Sequence, residues 1–201
     1  LIPLPESLQM LSEQEFAVGH LAFRNRTARL LEGYPKLVLK REARQALYSY
    51  YCLLRDTGRQ QASLKGWFNL PAAQGLIGFL EEQGRRRLNT MLAIQRWEDR
   101  QKVPTLCFEW LREGNVASAL PVFQTARAGF ASLTEERLAQ ALTDARASDT
   151  LTKVIRQGGE RFESVWTEAT ERFFRQLGGV HVNRVRGYPE PISPERKVFE
   201  R

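Results

Sequence analysis

The residues best suited to chemistry lie near the start of the chain, where His20-Leu-Ala-Phe-Arg-Asn-Arg-Thr-Ala-Arg29 alternates apolar and polar types. With the period of 2 of a β-strand, Leu21 and Phe23 fall on one face and His20, Ala22, Arg24 and Arg26 on the other. Such a strand can seat its apolar face in a core and offer its polar face to the edges of base pairs. Arg24 and Arg26 are the natural guanine readers there, because a guanidinium fork matches O6 and N7 bidentately. His20 also fits an ordinary strand end.

Other chemistries find little to work with. The chain has two histidines, His20 and His181, and two cysteines, Cys52 and Cys107, none in a metal-ligand spacing. There is no P-loop, GxGxxG or GxSxG motif. The carboxylate pairs Glu81-Glu82 and Glu135-Glu136 are neighbours on helices, pointing about 100° apart, and read as solvated faces. No catalytic residue, metal site or cofactor is therefore expected, and an enzyme would need a site assembled from scattered residues. The cysteines read as small buried hydrophobes in a reducing compartment, with a single pairing between them left open.

Charge points the same way as the strand. The 201 residues carry 30 Lys and Arg against 23 Asp and Glu, a formal charge of +7, which favours a polyanionic partner. Between His20 and Tyr48 stand Arg24, Arg26, Arg29, Lys36, Lys40, Arg41 and Arg44 against Glu32 and Glu42 alone. Arg29, Lys40, Arg41 and Arg44 are accordingly expected to reach nucleic acid. A second concentration is Arg85-Arg86-Arg87 with Arg96, Arg100 and Lys102. On one helix Arg85, Arg96 and Arg100 fall within about 60° and can track a phosphate backbone. The same edge can also be a solvated face or an acceptor for a partner subunit's glutamates.

The elements that must position these residues read as mostly helical: a strand over about 18–26, then helices over about 38–55, 71–101, 118–131, 135–147 and 160–177. Apolar residues at three- and four-residue steps (Leu39, Ala43, Leu47, Tyr50, Leu54) define the first helix. Pro71 suits the first turn of the second. Gly75, Gly78 and Gly84 mark either close helix packing or a break near Gly84. Residues 105–111 fit a strand or a short helix. Thr134 ahead of Glu135 and Glu136 is an N-cap signal, and the alternation Val180-His-Val-Asn-Arg-Val-Arg186 suggests a second short strand. Residues 1–187 read as one domain, and 188–201, with Pro189, Pro191 and Pro194 among charges, as an extended tail. The start lacks a signal peptide's apolar core and no run suits a membrane span; a cytoplasmic location is expected.

Strand, basic helix, connection and longer helix is the order of a ribbon-helix-helix protein, here with added C-terminal helices. Two chains would pair their strands antiparallel as a homodimer, insert the ribbon into the major groove of double-stranded DNA, and aim the second helix's first amides at a phosphate, placing Asn69, Leu70 and Ala72 near it. The segment Gly19-His-Leu-Ala-Phe-Arg-Asn-Arg-Thr-Ala-Arg-Leu-Leu-Glu-Gly33 resembles the opening of the AcaB-like regulators of conjugative plasmids and integrative conjugative elements. That resemblance implies a DNA-binding activator of conjugative transfer genes, in contact with the transcription machinery, with Arg24, Asn25 and Arg26 on the polar face of its strand. The alternative is a helical scaffold or assembly subunit that binds nucleic acid without sequence preference.

Overall fold

A computed structural model describes residues 29–58, 66–126, 130–147 and 161–188. The chain is mainly helical, with one short two-stranded parallel sheet. The elements are β1 (Val38–Lys40), α1 (Ala43–Gly58), a 3-10 turn (Gly66–Asn69), α2 (Ala72–Phe79), a π turn (Leu80–Gly84), α3 (Arg85–Gln101), β2 (Thr105–Cys107), α4 (Phe108–Glu113), α5 (Val116–Ala126), α6 (Glu135–Ala147), α7 (Phe162–Val165), α8 (Glu168–Gln176) and α9 (Gly179–Val185).

The expected helix over 38–55 begins later than its apolar period suggests. Val38, Leu39 and Lys40 form β1, in register with Thr105, Leu106 and Cys107 of β2. The helix starts where side chains satisfy its first amides: Glu42 Oε2 accepts from the Gln45 N–H at 2.9 Å, and Asn183 Oδ1 from the Ala43 N–H at 2.9 Å. Leu47 and Tyr51 then enter the core. The expected helix over 71–101 runs as α2, the π turn and α3. Its glycines mark close packing: a Cβ on Gly84 would meet the Leu177 side chain, and one on Gly75 would lie 2.6 Å from the Trp67 carbonyl oxygen and 2.7 Å from the Tyr51 hydroxyl. Backbone cannot yield as a side-chain tip does, so Gly75→Ala should cost about 1–3 kcal/mol by overpacking, against a helix-propensity gain of at most about 1. A lowered thermal midpoint would show it.

Residues 105–111 combine both options, β2 followed by the start of α4. The helix expected over 118–131 is α5, begun early at Val116 by Asn115, whose Oδ1 accepts from the Ser118 N–H. α6 occupies 135–147 as expected, with Thr134 accepting from the Arg137 N–H. The helix expected over 160–177 is divided at Trp166 and Thr167, because Thr167 Oγ1 caps α8 by accepting from the Thr170 N–H. The alternation over 180–186 is helical, not a strand. Gly178, at φ +86°, turns the chain out of α8, and Gly179, Val182, Asn183 and Arg186 are buried at the three- and four-residue steps of a helix. The expected strand over 18–26 and residues 189–201 of the expected tail lie outside the described residues.

Two apolar clusters hold these elements. The larger joins α1, the 3-10 turn, α2, the start of α3 and α7 to α9 around Tyr51, Leu76, Phe79, Leu88 and Phe174. Its rings interlock: Tyr51, Trp67 and Phe79 have centroids 5.5–5.9 Å apart. The smaller gathers Leu106, Ala119 and Leu138 from β2, α5 and α6. Polar groups of β1, α1, α4 and the end of α9 meet in the hydrogen-bond network described next. No helix among the described residues is long and apolar enough to cross a membrane.

Candidate nucleic-acid interface

The arginines of α3 divide by direction. Arg85, Arg96 and Arg100 are exposed, and they make no ion pair or hydrogen bond among the described residues. At about 100° and 1.5 Å per residue they form one edge some 22 Å long. Asn89, at about 40° on the same arc, is also exposed. The intervening cations turn elsewhere: Arg86 donates to Gln83 Oε1, and the Arg87 guanidinium stacks on the Tyr50 ring, 3.9 Å from its centroid, while donating to the Tyr50 hydroxyl. Side-chain entropy and solvation keep a lone exposed arginine available to an incoming phosphate, with no internal partner to surrender.

The basic cluster around α1 does something else. Arg44, expected to reach nucleic acid, is 7 % exposed. Its Nε and Nη2 hold Glu171 of α8 through both carboxylate oxygens at 2.7 and 2.8 Å, and its Nη1 donates to Glu42 at 2.8 Å. The guanidinium also lies 4.6 Å from the Phe174 ring centroid. Burial would lower the Arg44 pKa, but the hydrogen bonds and charges of Glu171 and Glu42 outweigh it and hold the group protonated. Arg44 is therefore an internal anchor, corrected from a DNA contact. Lys40 is half-buried and donates to the Arg186 carbonyl at 3.0 Å. Arg41 is half-buried as well, donating to Gln45 Oε1 with its guanidinium 4.5 Å from the Phe108 ring centroid. Both are likewise engaged with other groups of the protein.

Apart from Glu42, two residues from Arg44, the acids around this cluster carry no sequence signal, because they arrive from distant parts of the chain. Glu109 of α4 accepts from the Glu42 N–H at 3.0 Å and from the Tyr188 hydroxyl at 2.9 Å. Burial and that bond push the Tyr188 phenol up. Arg186, lowered by its burial, donates to the Arg41 carbonyl at 2.9 Å. Glu98, 4 % exposed, is pushed up by burial against the opposing pull of Lys40 and the Thr105 hydroxyl. Glu171 goes the other way: burial alone would raise it, yet bonds from Arg44 and the Trp166 indole and the charges of Arg44 and Arg175 hold it below the usual carboxylate range.

That depression has a consequence for stability. A carboxylate whose folded pKa lies below its unfolded one stabilises fully above the unfolded value and loses that contribution as pH falls through the folded value. The protein should therefore lose stability from about pH 4.5 downward. In Glu171→Gln the acid limb of a plot of denaturation midpoint against pH should be flatter, from a lower starting stability.

Asn69 and Leu70 are exposed at the end of the 3-10 turn, whereas Ala72 is buried with its carbonyl taken by the Tyr51 hydroxyl at 3.1 Å. The phosphate position expected at Asn69, Leu70 and Ala72 is thus open at its first two residues and closed at the third. Arg29 is exposed just ahead of β1. His20, Ala22, Arg24, Asn25 and Arg26 lie outside the described residues. No group of three or more His, Cys, Asp or Glu among the described residues is placed to hold a metal ion, and both cysteines are free thiols. No family model, no curated protein and no solved structure matches this chain.

Proposed function

We propose that this protein binds double-stranded DNA, with Arg85, Arg96 and Arg100 on phosphates and the polar face of residues 20–26 on base edges, as a homodimeric transcriptional regulator. The observation that carries the binding is the arginine edge of α3: three exposed guanidinium groups, unpaired among the described residues, on one arc of a helix fixed by the larger core. An edge about 22 Å long spans several phosphates of one strand. Sequence specificity rests on Arg24 and Arg26, and the role of an activator of conjugative transfer genes on the resemblance of residues 19–33.

A second reading, a scaffold without sequence preference, is favoured by the internal use of Lys40, Arg41 and Arg44. It leaves phosphate contacts from α3 as the main source of affinity. One experiment separates the two. In R85Q/R96Q/R100Q the slope of log affinity against log salt should fall by about 2–3, with equal losses on every duplex. In R24A/R26A, discrimination between a preferred and a random duplex should collapse for a regulator and stay absent for a scaffold. Unchanged duplex affinity in the triple variant would overturn DNA binding by this helix. The three positions are exposed, so the thermal midpoint should stay put.

A further inference from the structure

Beside the arginine edge lies a half-open cleft of about 110 Å³, lined by Arg29, Glu32, Lys36, Trp97 and Gln101. Trp97 and Gln101 stand about 60° and 100° further round α3 than Arg100, so the cleft opens next to the path of a strand held by that edge. Its far wall is the turn before β1. The Lys36 ammonium braces that turn by donating to the carbonyls of Leu31 at 2.7 Å and Tyr34 at 3.1 Å.

The lining selects among ligands. A bare anion would meet the Glu32 carboxylate and the negative end of the α3 dipole as well as the two cations. A purely apolar group would strip water from four polar side chains for one indole wall. A flat, neutral ring with donors and acceptors at its edge suits this lining: the exposed rim of the otherwise buried Trp97 indole against the ring, the Gln101 amide and Glu32 carboxylate on its edge, and Arg29 toward the adjoining phosphate, with Lys36 holding the turn. Size narrows the choice. A cavity of about 150 Å³ admits benzene, so a cleft of about 110 Å³ open on one side takes the leading part of a single six-membered ring. Resting on the proposed binding of DNA by α3, we infer that this cleft receives one unpaired pyrimidine base from the strand along Arg85, Arg96 and Arg100.

The test uses three duplexes of one sequence: fully paired, with a single bulged thymine, and with an abasic residue as the bulge. The full chain should bind the thymine bulge about tenfold more tightly than the abasic bulge. Glu32 and Gln101 are exposed, so E32A/Q101A should fold normally, keep wild-type affinity for the paired duplex and lose the tenfold preference; Trp97→Phe should retain part of it. Equal affinity for the two bulges, with the paired duplex still bound through the α3 arginines, would overturn the cleft and leave the binding proposal standing. A preference that survives in E32A/Q101A would overturn the placement of the base. No binding to any of the three would overturn both proposals together.

Discussion

Arg44→Ala is expected to cost about 3–5 kcal/mol of folding stability, read as a large fall in the denaturant midpoint at constant slope. The variant removes the cation that bridges Glu42 and Glu171, leaving Glu171 to Trp166 and Arg175 and Glu42 to Gln45 and Asn183. Part of the loss is packing, since the guanidinium covers the Phe174 ring, itself fully buried. Arg44→Lys should recover only part of it: an ammonium restores the charge but cannot hold both Glu171 oxygens and Glu42 in one planar fork. A DNA contact would behave oppositely, with affinity lost and stability kept. A midpoint unchanged in Arg44→Ala would therefore refute the internal role and return Arg44 to the nucleic-acid face.

The contrast between Arg44 and Arg96 shows how far the sequence could be read. Helical period depends on neighbours within one or two turns, so the long helix ending at Gln101, the Thr134 cap and the edge shared by Arg85, Arg96 and Arg100 were legible. Whether a given arginine faces water depends on what packs over it. For Arg44 that is Glu171, 127 residues later, and Phe174 beyond it, and no local pattern announces such a meeting. Local rules failed for the same reason over 180–186. Alternating valines suit a strand, but the burial of Asn183 against the start of α1 and of Arg186 against the link between β1 and α1 rewards a helix that brings both to one side. The apolar period alone misplaces the start of α1 because two of the carboxylate or amide oxygens that fix it come from Glu109 and Asn183. The cleft was not legible at all, since its two walls are more than sixty residues apart in the chain.

Asn183→Leu is expected to cost about 2–4 kcal/mol although it nearly conserves volume. Asn183 is 1 % exposed and serves two groups at once. Its Oδ1 accepts from the Ala43 N–H, one of the amides that a helix start leaves without an intrahelical partner, and its Nδ2 donates to Glu42 Oε1. Leucine would strand a buried donor and deprive Glu42 Oε1, already committed to Arg44, of its second donor. Asn183→Asp separates the two duties. An aspartate keeps the acceptor for Ala43 but sets a carboxylate against Glu42, and two such groups in contact hold a proton between them, which raises the apparent pKa of the pair. With the folded value raised, stability rises as pH falls through it. Asn183→Asp should thus be strongly destabilised at pH 7 and regain stability on acidification toward pH 5, whereas Asn183→Leu should stay low at both. Parallel behaviour of the two variants would mean that Asn183 acts through its shape alone, and that the start of α1 is held by Glu42 and Glu109 without it.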